Sequence, residues 1–228
     1  MKRKALATKR SADYDAMLDR VVRLIDEARR TSTRTINALM TATYWLIGRH
    51  IVEFEQAGKS KAQYGEEVID QVASDLTSRF GRGFTRSNLF NMRAFYSANP
   101  RIIQTLSGQL QPPEKIQTAS GKSPGQLAVR DVAGGFPLPW SAYVRLLSVK
   151  TEQARKFYET EVLRGGWSVR QLDRQINSLF YERTALSRNK AKMLTKGAAT
   201  KTEDAVAPEE EIKDPYVLEF LGLKDEYA

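Results

Sequence analysis

From residue 13 onward, apolar side chains recur at spacings of three and four, the rhythm of helices that bury one stripe. Met17, Val21, Leu24, Ile25 and Ala28 form a first stripe. Ile36, Leu39, Met40, Thr43, Leu46, Ile47 and Ile51 form a second over about 33–57, with Gly58 where a C-cap belongs. Two long neighbouring amphipathic segments predict an antiparallel helical hairpin, each stripe hidden against the other or against a partner chain. Val68, Ile69, Val72, Ala73 and Leu76 predict a third helix over 65–79. Leu89, Met92, Phe95 and Tyr96 predict a fourth, capped by Thr85 or Ser87 and stopped before Pro100.

The rhythm then breaks. Ten of the 33 residues in 107–139 are Gly or Pro, the composition of a linker. Helical spacing returns at about 140–147 and 151–163, and again after Ser168, where Leu172, Ile176, Leu179 and Phe180 are expected inward. No stretch alternates as a strand would, so the expected fold is all-α: a helical hairpin plus two helix-turn-helix-like units joined by a Gly/Pro-rich linker. The expected divisions are a basic disordered arm (1–12), the hairpin with the first unit (13–106), the linker (107–139), the second unit (140–186), a charged tether (187–211) and a short apolar C-terminal segment (212–228).

Charge changes the picture. The 228 residues hold 36 Lys and Arg against 27 Asp and Glu, a net of +9. Residues 202–228 contain two basic and nine acidic side chains, a net of −7, so the other 201 carry 34 against 18, a net of +16. A body of that sign attracts polyanions. Where, then, would a polyanion dock? Gly83-Phe84-Thr85-Arg86-Ser87-Asn88-Leu89 aligns without a gap with Gly166-Trp167-Ser168-Val169-Arg170-Gln171-Leu172. Each has a glycine turn, an aromatic anchor, a hydroxyl cap and a second helix, the layout whose second helix enters the major groove. With the leucines inward, Arg86, Ser87, Asn88 and Asn91 are expected outward in the first unit, and Arg170, Gln171, Arg174 and Asn177 in the second. Arg, Asn and Gln are the side chains that pair bidentately with purine edges. Arg82, Arg164, Lys59 and Lys61 flank these helices and suit phosphate contacts. Each elbow alone is also compatible with a solvated helical pair; the two copies and the basic body together favour DNA.

Catalytic chemistry is poorly supplied. With no cysteine, thiolate metal sites and disulfides are excluded, and a single histidine excludes His-rich metal sites and makes Ser–His hydrolysis a poor expectation. His50 reads as a helical residue rather than a ligand, and Tyr44-Trp45 as core rather than a base-stacking platform. The only (Asp/Glu)-x-Lys is Glu211-Ile212-Lys213, in the acidic tether with no strand around it; no P-loop or dinucleotide fingerprint is present. The residues therefore predict no catalytic group, no metal and no cofactor. No apolar run approaches the roughly 20 residues of a membrane span, and a cytoplasmic protein without membrane contact is expected.

Several segments carry a resemblance. Ala42-Thr43-Tyr44-Trp45-Leu46-Ile47-Gly48-Arg49, Tyr64-Gly65, the stretch from Phe80 to Leu89, the Ile-Gln-Thr-x-Ser segment, Gly166 to Leu172 and Lys213-Asp214-Pro215-Tyr216-Val217-Leu218-Glu219-Phe220-Leu221 together resemble the bacterial YhcG-like proteins. Those proteins pair an N-terminal helical domain of unknown function with a PD-(D/E)XK nuclease domain, which the Asp-Pro-Tyr-Val-Leu-Glu-Phe-Leu stretch opens. Here Phe220 is followed by eight residues, and the family's catalytic positions have no counterpart. The resemblance thus implies a non-catalytic, nuclease-associated DNA-binding module, possessing the start of a truncated nuclease domain at 212–228. A protein-interaction module is the alternative: a homo-oligomer through 13–57, or a partner for a separate nuclease subunit.

Overall fold

The computed structural model describes residues 12–57, 62–100, 128–198 and 215–221, and in them the chain is all-α. Helix α1 (Ala12–Ala57) is followed by α2 (Ala62–Phe80), a 3-10 turn (Arg82–Phe84) and α3 (Arg86–Ala98). Then come α4 (Val129–Ala133), α5 (Trp140–Leu147), α6 (Glu152–Gly165), α7 (Val169–Asn177), α8 (Phe180–Leu186), α9 (Lys190–Ala198) and α10 (Pro215–Leu221). No described helix is long and apolar enough to cross a membrane.

The expected hairpin is not there: α1 runs unbroken through the polar stretch from Arg29 to Thr35. That stretch contains neither Gly nor Pro, and its hydroxyls are absorbed by the helix itself. Thr33 and Thr35 donate to the carbonyls of Arg29 and Thr31, four residues back, at 3.0 and 2.9 Å. The second half packs on α3, but on a face rotated from the expected one: Met40, Thr41, Tyr44, Trp45, Gly48 and Ile51 are buried, while Ile36, Leu39, Thr43, Leu46 and Ile47 of the expected stripe are half-buried. Gly48 makes this possible, since a Cβ there would stand 2.1 Å from the Met92 carbonyl oxygen. The apolar stripe of the first half stays out of the core; Met17, Val21, Leu24 and Ile25 are all exposed.

An aromatic cluster closes the core. Tyr44 and Phe95 meet Trp140 edge-on at 5.0 and 5.3 Å, and Phe95 meets Tyr143 at 4.8 Å. Trp45 meets Tyr96 at 5.0 Å and donates its indole N–H to the Asn99 carbonyl at 3.1 Å. Tyr44 and Trp45 are therefore packing residues. The end of the expected linker is part of this core too, because α4 is helical and Phe136 and Leu138 are buried. Four of the ten Gly and Pro residues predicted to loosen 107–139 lie in 134–139, where they shape turns between buried aromatics. Residues 101–127, the arm and Gly58 lie outside the described residues. The start of the expected tether is helical, α9 packing on α8, and in the expected C-terminal segment α10 packs on α1 and the 3-10 turn. Val217 is buried, Phe220 meets Tyr44 at 5.9 Å, and a Cβ on Gly83 would meet that of Glu219 at 3.2 Å.

Candidate nucleic-acid interface

The two elbows are built alike at the cap and differently at the turn. Thr85 accepts from the Asn88 amide at 3.4 Å, and Ser168 from the Gln171 amide at 3.2 Å, each hydroxyl satisfying an otherwise unpaired N–H of the first helical turn. In the second elbow Gly166 is left-handed (φ 61°) and ends α6, with the Trp167 amide reaching back to the Val162 carbonyl at 3.2 Å. In the first, the left-handed residue is Gly81 (φ 87°), not Gly83; the 3-10 turn intervenes before the cap. A second left-handed residue, Leu179 (φ 52°), splits the expected last helix into α7 and α8 and leaves its own side chain 59% exposed.

The amides expected to read bases are inside. Asn88 is 5% exposed; its Nδ2 donates to the Gly83 carbonyl at 2.7 Å and its Oδ1 accepts from the Trp140 indole at 3.0 Å. Gln171 is fully buried, and its Nε2 donates to the Gly197 carbonyl at 3.1 Å, joined there by Gln175 at 3.3 Å. Both sit in the third position of their helices, beside the buried leucine. Asn88 is also four and seven residues before Met92 and Phe95, which puts it on their stripe. That spacing was the available signal. For Gln171 the covering element is α9, which no stripe on α7 foretells.

The arginines divide. Arg86 pairs with Asp70 and, at 3.6 Å, with Glu66, and lies over the Phe90 ring at 4.9 Å. Arg164 pairs with buried Glu161 at 2.7 Å. Arg170 and Ser87 are exposed, Asn91 and Arg174 half-buried, and Asn177 donates to Asp173 at 3.2 Å. The Arg82 side chain and all of Lys59 and Lys61 lie outside the described residues. Residues 62–98 hold four basic and four acidic side chains. Residues 169–198 hold seven basic against two acidic, and Arg170, Arg183, Arg188, Lys190 and Lys192 among them are exposed. Of these two stretches, the exposed basic excess lies in α7–α9 and the first elbow has none.

A cleft between α3, α5 and α6 has no comparable character. Tyr143 donates to Glu159 at 3.0 Å; burial pushes the pKa of both groups up, and the neighbouring carboxylate adds to the rise at Tyr143. Its cations are committed: Arg155 donates to the Val149 and Lys150 carbonyls, and Lys156 pairs with Glu152 at 2.7 Å. His50 lies exposed beside Glu53. Among the described residues no group of three His, Cys, Asp or Glu stands together to hold a metal ion. Glu211 and Lys213 lie outside them.

The sequence model of the DUF1016 N-terminal domain matches residues 20–183. The chain belongs to that family. It is YhcG-like: it is 50% identical over 221 residues to the Escherichia coli (strain K12) protein named "Putative nuclease YhcG". The match takes in 96% of this chain and 58% of that relative, so the chain spans less than two thirds of the relative's length. This corrects the expectation of a non-enzyme, since a relative similar along nearly the whole chain is named a nuclease. No solved structure matches.

Proposed function

We propose that this DUF1016 chain works as a nuclease-type protein, and that its helical region holds duplex DNA by the phosphate backbone through α7–α9. The observation that supports the reading is the placement of charge: seven basic against two acidic side chains in 169–198, five of the basic ones exposed, against none in excess in 62–98. Phosphate contacts of this kind give affinity and register without base discrimination, which matches a cluster whose amides are spent inside the fold. The nuclease part of the reading comes from the relative's name and the family.

An electrophoretic shift on random duplexes at low salt tests it. The full chain is expected to bind in the micromolar range with no preference among sequences, and Arg170→Ala combined with Lys190→Ala and Lys192→Ala to weaken binding uniformly. Absence of a shift, or a shift unaffected by those three changes, overturns the reading.

A further inference from the structure

The structure assigns a second copy of this chain, antiparallel, as the partner of the N-terminal half of α1. Between Asp13 and Ser32 no residue is buried, yet Tyr14, Met17, Val21, Leu24 and Ala28 repeat at alternating spacings of three and four, the seam of a two-helix coiled coil. Leu18 and Ile25 widen it. Leu24, 66% exposed, is the barest of the large side chains in the seam. A solitary helix of this length, about 33 Å over 22 residues, is marginal in water without something packed on its apolar stripe.

The charges say what packs there. Residues 12–34 hold five acidic and five basic side chains, and the four that flank the seam alternate in sign at intervals of seven: Asp13, Arg20, Glu27 and Arg34. A parallel copy would set them against Leu18, Ile25 and Ser32. An antiparallel copy sets Asp13 on the other's Arg34 and Arg20 on the other's Glu27, and it brings Val21 of each copy against Leu24 of the other beside the two-fold axis. The seam and its flanks thus complement themselves, as an isologous interface must. This interface is separate from α7–α9 and does not depend on the DNA reading.

Light scattering on the full chain reads the mass. A dimer, twice 25.8 kDa, is expected at micromolar concentration, and Leu24→Glu is expected to give the monomer with an unchanged core melting transition, since Leu24 touches none of the core. Arg20→Glu with Arg34→Glu is expected to weaken dimerisation about tenfold or more, and adding Glu27→Lys with Asp13→Lys to restore it. The chain has no cysteine of its own, so single cysteines report direction: Leu24→Cys is expected to cross-link two copies on oxidation and Tyr14→Cys not to. A monomeric wild type overturns the assignment. So does cross-linking through Tyr14→Cys, which means a parallel pair, or binding of a different protein to a monomeric seam.

Discussion

Replacing Asn88 by alanine separates a base-reading residue from a structural one. The side chain bridges two groups, the Gly83 carbonyl and the Trp140 indole, and is itself buried. Asn88→Ala removes both bonds and leaves a buried acceptor and a buried donor that water does not reach. Each orphaned group costs about 1–3 kcal/mol, so the pair costs about 4 kcal/mol at mid-range. For a chain of this length each kcal/mol moves the melting temperature by about 2–4 °C, which predicts a fall of about 8–16 °C. Ser87→Ala, one residue earlier and exposed, is the control and is expected to stay within about 0.5 kcal/mol. Calorimetry or thermal circular dichroism reads the stability, and a binding assay well below both transitions reads the affinity for DNA. Affinity of the folded variant is expected to match wild type. A melting temperature within about 2 °C of wild type, together with a tenfold loss of DNA affinity, would refute the structural assignment.

Two further substitutions probe the packing and the cleft. Gly48→Ala puts a Cβ 2.1 Å from the backbone oxygen of Met92, an overlap no side-chain rotation relieves; it is expected to cost about 3 kcal/mol or more in urea unfolding, and a cost under about 1 kcal/mol would show that α1 and α3 part freely. Burial raises the Glu159 pKa in the folded state above its ordinary value, so folding favours the neutral acid. The stability that Glu159 contributes is therefore fully present below the unfolded pKa of 4.5 and is lost as pH rises through the raised folded value. Relative to Glu159→Gln, the wild type should lose stability as pH rises from the unfolded pKa of 4.5 through the raised folded value; a wild-type advantage that grows with pH contradicts this.

How much of this was legible in the sequence varies with the kind of signal. Stripes that face a core were: α2 and α3 lie close to the spans predicted from Val68–Leu76 and Leu89–Tyr96, and Thr85 and Ser168 cap as their residue types suggest. The same periodicity misled in α1, because a stripe states only that something must cover it. The first half of α1 has its stripe, and Met17, Val21, Leu24 and Ile25 on it are exposed. The Gly and Pro of 134–139 read as linker because composition cannot distinguish a slack turn from one clamped by Phe136 and Trp140. The split at Leu179 carries no sequence mark, since a leucine in left-handed geometry is held there by its surroundings. For the interface, the global charge was legible but its distribution over the surface was not. Asp70 and Glu66, sixteen and twenty residues from Arg86, neutralise the first elbow through a tertiary contact, while α9 hides Gln171 and adds its lysines to the second.

The salt dependence of binding to a random duplex tests the central claim most directly. For the wild-type chain, log affinity should fall linearly with log salt, each neutralised phosphate contributing about −0.9 to the slope. Arg170→Ala with Lys190→Ala and Lys192→Ala should flatten that slope by about 0.9 for each phosphate left without its cation, while Arg86→Ala should leave it unchanged. A slope untouched by the triple substitution and flattened by Arg86→Ala would place DNA on the first elbow and contradict the account.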